Sequence, residues 1–163
     1  MKRRTKHILG VCAILLGSGI AYGGYFYLEV WRPHQLMRDS EWYHHASEDE
    51  ARTVCHKVIS HRFGDPHDAF LFLEEKGNAT SVPLIIGCLK WQTAPSNPHR
   101  NCCTTGHGFA ALHTLTGESF GSYEEWTRWW KETGSKLPST NFYVRAANKA
   151  SESSVAPAPQ IQR

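Results

Sequence analysis

The densest grouping of chemically able side chains in the sequence is His99-x-x-Cys102-Cys103-x-x-x-His107. Thiolate and imidazole are the ligands zinc selects, so His99, Cys102, Cys103 and His107 are the candidate metal set. Against that reading, adjacent cysteines cannot both turn toward one ion without local distortion, and the spacing matches no standard zinc site. The same residues offer a nucleophile: Cys103 near a helix N-terminus, where the dipole lowers a thiol pKa, with His107 one turn on as its base. Neither an orienting carboxylate nor an oxyanion site accompanies them, so no catalytic residue and no cofactor is expected.

Cys12 lies in a hydrophobic stretch, which leaves an even set of Cys55, Cys88, Cys102 and Cys103. Such a set on the far side of a membrane is what an oxidising compartment produces. The expectation is therefore disulfides, Cys88 with one of Cys102 or Cys103 and Cys55 with the other. A bridge from Cys88 closing a loop of about 15 residues contributes roughly 3 kcal/mol in the chain-entropy model. The alternative is that Cys55 and Cys88 are buried apolar thiols on helix faces.

Trp126, Trp129 and Trp130 recur at i, i+3 and i+4. They offer an aromatic platform for glycan, although indoles at that spacing more often form the packed face of a terminal helix. The ten histidines are scattered, and His44-His45 is too short a tract for a metal site. Asn78-Ala79-Thr80 fits a glycosylation sequon that has meaning only in a eukaryotic secretory host.

What must position these groups begins with an anchor. Residues 8–28 hold no charge, and a helix of that length spans about 30 Å of hydrocarbon. Lys2, Arg3, Arg4 and Lys6 precede the stretch, while Glu29 and Arg32 follow it. The positive-inside rule then keeps the N-terminus cytoplasmic and sends the remainder across. Tyr22, Tyr25, Phe26, Tyr27 and Trp31 crowd the exit end, where aromatic rings favour the headgroup region. A cleaved signal peptide, with its apolar run at residues 8–16 and cleavage after Ala21, leaves that aromatic belt unexplained. A lipoprotein signal is excluded because Val11 stands before Cys12 where a small residue is needed. Gly19 and Gly23 form a GxxxG pair through which two anchors can pack as a homodimer.

The formal net charge of +3 is concentrated ahead of the anchor: with those four residues set aside, 14 basic residues face 15 acidic ones. A near-neutral domain lacks the surface that nucleic-acid binding draws its affinity from, so that class is excluded. The expected organisation is a cytoplasmic basic segment at 1–7, the anchor at 8–28, a juxtamembrane connector at 29–46 broken by Pro33, a helical domain at 47–134 and a disordered tail at 135–163. Ser47-x-x-Glu50 caps the first domain helix, and Asp65-Pro66 opens a second that stops at Gly77. Thr80 or Ser81 caps a third reaching Trp91, and a fourth starts near Thr104 or Thr105 and stops at Gly117. Ser122-x-x-Glu125 caps a fifth that reaches Gly134. Nothing alternates with period two over strand length, so the fold class expected is all-α with about five short helices after the anchor.

ALHTLTGESFGSYEEWTRWW, at residues 111–130, resembles the module that closes many small bacterial HEAT-like repeat proteins: a helix ending in Leu-Thr-Gly, a Phe-Gly turn, then a capped Trp-rich helix. LEEKGNATSVPLIIGCL looks like the inter-helix turn of a HEAT unit, and together the two cover roughly residues 50–133. Pro66 and Thr105 open successive helix pairs 39 residues apart, near the roughly 40-residue HEAT period. The resemblance implies an architecture and a scaffold or partner-binding role, with no catalytic residues to carry over. The expected protein is thus a single-pass protein of the cytoplasmic membrane with an extracytoplasmic interaction domain. Its expected partners are lipid around the anchor and a protein not identified by the sequence. A cell-envelope glycan binder using the Trp face is the alternative, followed by a thiol or zinc enzyme built on Cys102, Cys103 and His107.

Overall fold

The computed structural model describes residues 2–98, 102–138 and 142, and all the regular structure among them is helical. α1 (Lys2–Tyr25) runs without a break into a π-helical segment (Phe26–Trp31) and then α2 (Arg32–Arg38). Within this rod, Gly10–Arg38 is long and apolar enough to cross a membrane, with a mean hydropathy of 1.5 in its most apolar window and none of that window buried. α3 (Ser40–His45) follows, opened by the Asp39 carboxylate, which accepts from the backbone N–H groups of Glu41 and Trp42.

The helix through residues 32–38 departs from the expected broken connector. Pro33 lacks an N–H and its ring crowds the carbonyl four residues back, which ordinarily breaks a helix. Here it sits in the first turn of α2, directly after the π segment, where the Arg32 N–H reaches back five residues to the Tyr27 carbonyl. The wider ladder makes room for the ring, so the rod continues.

The domain consists of α4 (Glu48–Ser60), α5 (His67–Lys76), α6 (Ser81–Gln92), α7 (Cys103–Thr116) and α8 (Tyr123–Glu132). These are the five expected helices, with ends within a residue or two of the sequence reading. Ser47 Oγ accepts from Glu50 N–H at the start of α4, and Ser122 with Glu125 forms a reciprocal box at the start of α8. Asp65 Oδ1 accepts from His67 N–H, so Asp65 caps α5 from one residue further out than Pro66, the N-cap. Gly117 closes α7 in the left-handed conformation at φ 71°.

Contacts fix the directions. Glu29 with Lys57 and Met37 with Cys55 run α4 antiparallel to the rod. Arg52 donating to the Lys76 carbonyl sets α5 antiparallel to α4. His56 with Ser81, and Arg62 with Trp91, set α6 parallel to α4. Phe70 lies at Gly108 and Gly77 at Leu115, so α7 runs parallel to α5. At Gly108 a Cβ would stand 2.9 Å from Leu89 Cδ2 and 3.2 Å from Phe70 Cε2, so a side chain there would force these neighbours to shift. Phe70, Leu73, Ile85, Leu89, Leu112 and Leu115 fill the centre, each completely buried. Burying a side chain of this kind stabilises by about 1.5–3 kcal/mol before ordering entropy is set against it.

The tail holds structure that its composition did not foretell. A 3-10 turn (Gly134–Lys136) follows α8, and Phe142 is buried with its ring 6.3 Å from that of Trp130. The remainder of the expected disordered tail lies outside the described residues.

Two buried thiols and a half-buried imidazole predict how stability varies with pH. Burial pushes the Cys55 and Cys88 thiols up to about 12. In the unfolded chain they ionise near about 8.5, so between those values the folded state holds more protons. Their stabilisation is full below the unfolded value and is lost as pH rises through the folded one. Burial lowers His56, helped by the charge of Arg52. Below about 6.5 the unfolded state therefore binds more protons, and stability falls with falling pH. Denaturant melts across pH should show maximal stability between roughly 6.5 and 8.5. A Cys55→Ala/Cys88→Ala variant should flatten only the alkaline limb.

Candidate functional site: a cleft at the anchor-proximal end

The loop after α4 turns at Gly64, whose φ of +69° is left-handed and whose missing Cβ makes way for the His34 ring, 2.7 Å from where it would stand. A residue with a side chain is excluded twice at this position, by backbone strain and by collision. Phe63 stacks edge-on against Phe26 at 5.4 Å and against His34 at 5.3 Å, and His61 stands 6.5 Å from Tyr25. The loop is thereby clasped to the last turn of α1 and to the rod beyond it. Lys57 adds an ion pair to Glu29 at 2.8 Å. A pair this exposed contributes about 0–1 kcal/mol, so the rings and the buried Val30 carry most of the joint.

Because α4 and α6 run toward this end and α5 and α7 start from it, the termini of four helices meet beside the loop. They enclose a cleft of about 720 Å³ whose lining includes Arg62, Phe63, Asp65, Trp91, Cys102 and Thr104. That volume falls within the range of about 300–1,000 Å³ typical of small-molecule sites. The Arg62 guanidinium lies over the Trp91 ring, 5.3 Å from its centroid. Asp65 accepts from the Thr104 hydroxyl at 3.0 Å and thereby ties the loop to the start of α7.

Cys102 is the N-cap of α7. A hydrogen bond from the Thr104 side chain, with others from the Thr105 and Thr104 backbone N–H groups, holds its thiol below the ordinary range against partial burial and the Asp65 charge. The Thr104 hydroxyl has one proton, so it serves either Asp65 or the thiolate at a given moment. Cys102 should alkylate at neutral pH well before Cys55 or Cys88, and Thr104→Val should slow it. Timed maleimide labelling with peptide mass mapping reads both rates. Equal labelling of Cys102 and Cys88 would contradict the burial assigned to Cys88.

The expected disulfides are not formed: all five cysteines are free thiols. Cys55 and Cys88 are sealed inside, while Cys102 is half-buried and Cys103 exposed. The Cys55 sulfur meets Met37 Sδ at 3.5 Å, and Cys88 takes a hydrogen bond involving Trp91. The two helix thiols are thus satisfied as small buried groups within their own packing.

Two members of the candidate metal set, Cys102 and Cys103, line the cleft. His107 packs toward α5, 4.8 Å from the His67 ring centroid and 4.0 Å from Glu74, while His99 lies outside the described residues. Among the described residues no three His, Cys, Asp or Glu side chains gather as metal ligands. His107 is not among the residues that line the cleft, whereas Cys103 is. Trp126 is core, with Nε1–H donating to the Phe120 carbonyl at 3.1 Å, while Trp129 and Trp130 are half-buried against it, Phe120 and Gly134. An open platform of three indoles is therefore not presented.

Arg62 was not singled out from the sequence, and Asp65 and Trp91 were read there only as helix ends. Comparison with known proteins finds no matching family model, no matching curated protein and no matching solved structure, so the chain is read from its own residues.

Proposed function

We propose that the protein is a single-pass protein of the cytoplasmic membrane, N-terminus inside, whose extracytoplasmic helical domain is a HEAT-like protein-interaction module without catalytic activity. The observation that carries this is the unbroken helical rod, apolar in its first part, that leads from Gly10 to Arg38 and seats the domain on its end. The basic residues at positions 2–6 set the orientation. The helices that Pro66 and Thr105 open, α5 and α7, run parallel to each other, which supports the repeat reading. Gly19 and Gly23 border open space, as a helix-pairing face requires.

Three measurements test it. Alkaline carbonate should leave the full-length chain in the membrane, and a C-terminal reporter should be active outside the cytoplasm and silent within it. Crosslinking in intact membranes followed by capture should recover a discrete protein partner. A cytosolic reporter signal would overturn the orientation, and recovery of the chain alone would overturn the hetero-partner.

A further inference from the structure

We propose that the cleft between Arg62 and Asp65 takes the headgroup of an aminophospholipid, a phosphate diester bearing a primary ammonium, from the leaflet at which the apolar rod emerges. The inference rests on the membrane reading above. Placement is the first argument. His61 and Phe63 touch Tyr25 and Phe26, which belong to the final turn of the uncharged stretch at residues 8–28. The loop therefore stands at the depth where hydrocarbon gives way to headgroups. Trp91 lies under Arg62 and Thr104 is bonded to Asp65, so the end of α6 and the start of α7 are held at that same level.

Charge selects the occupant. Among the described residues the cleft wall carries one guanidinium, at Arg62, and one carboxylate, at Asp65, three positions apart. A purely anionic headgroup satisfies the first and is repelled by the second. A choline headgroup has a cation without N–H donors, so it cannot hydrogen-bond the carboxylate. Phosphate with a primary ammonium satisfies both, since guanidinium donates to phosphate oxygens and ammonium donates to carboxylate. Phe63, 38 % exposed, and the Trp91 face supply apolar walls for the glycerol end of the lipid.

The test uses the full-length chain in nanodiscs of phosphatidylcholine doped with phosphatidylethanolamine or phosphatidylglycerol, with retained lipid counted by native mass spectrometry. Phosphatidylethanolamine should be enriched about tenfold over phosphatidylcholine, the ratio that one charge-assisted hydrogen bond gives. Arg62→Gln and Asp65→Asn should each abolish the enrichment; the second keeps an acceptor for Thr104 and His67, so the domain should stay folded by circular dichroism. Equal or greater retention of phosphatidylglycerol would overturn the proposal, as would enrichment that survives both substitutions. Soluble phosphoethanolamine binding as tightly as the lipid would overturn the lipid as the source. Carbonate extraction separates the two readings: a chain retained in membranes without enrichment sinks the headgroup site alone, and a chain released sinks both.

Discussion

Trp126→Ala should unfold the domain or bring it to the edge of unfolding. The indole is 1 % exposed, stacks edge-on with Phe120 at 4.9 Å and with Trp129 at 5.6 Å, and donates its N–H to the Phe120 carbonyl. Removing a buried Trp costs about 3–5 kcal/mol through lost transfer energy and the cavity left behind. Domains of this size have only about 5–15 kcal/mol in total, and Tm falls by roughly 4–8 °C per kcal/mol. A drop of about 15–30 °C is therefore expected in thermal circular dichroism of the detergent-solubilised chain. Trp126→Phe retains most of the ring area and loses the hydrogen bond, so its deficit should be about 0.5–1.5 kcal/mol plus a small packing term. A loss below about 1 kcal/mol for the alanine variant would mean that α8 is not integral to the core.

Leu15→Asp/Leu16→Asp should release the chain from membranes without touching the domain. Both side chains are exposed, at 67 % and 68 %, on the uncharged part of α1. A charged residue at the centre of a spanning helix costs about 2.5–3.5 kcal/mol, so the pair should shift partitioning by about three to five orders of magnitude. Fractionation should move the protein to the soluble pool, and its denaturant midpoint should match that of the wild type. Persistence in the membrane fraction would assign retention to the domain's own surface and remove the anchor from the account.

The five domain helices were legible because their signals are local. Ser47 and Ser122 start helices through hydrogen bonds within four residues, and Gly77 and Gly117 end them. The rod past Trp31 was not legible: Pro33 reads as a break, and the π turn that accommodates it has no sequence signature. Phe142 was hidden in a polar composition that says nothing of one aromatic folding back onto Trp130. The cysteines illustrate a different limit. An even count and a plausible compartment suggested bridges, but spacing does not report depth, and Cys55 and Cys88 are sealed at 0 % exposure. The orientation proposed for the chain consequently rests on the basic N-terminus and no longer on cysteine number. The cleft was the least legible feature, because Arg62, Trp91 and Thr104 meet only once three separate segments pack.

The clasp of Phe26, Phe63 and His34 around Gly64 leaves no swivel between shaft and head. A head on a floppy tether samples a hemisphere of solution; this one is fixed at one height, and any tilt of the shaft tilts it equally. If the shaft spans a bilayer as proposed, its encounters are confined to a thin slab along the membrane, where meeting rates scale with surface density and sideways diffusion and not with concentration in the bulk.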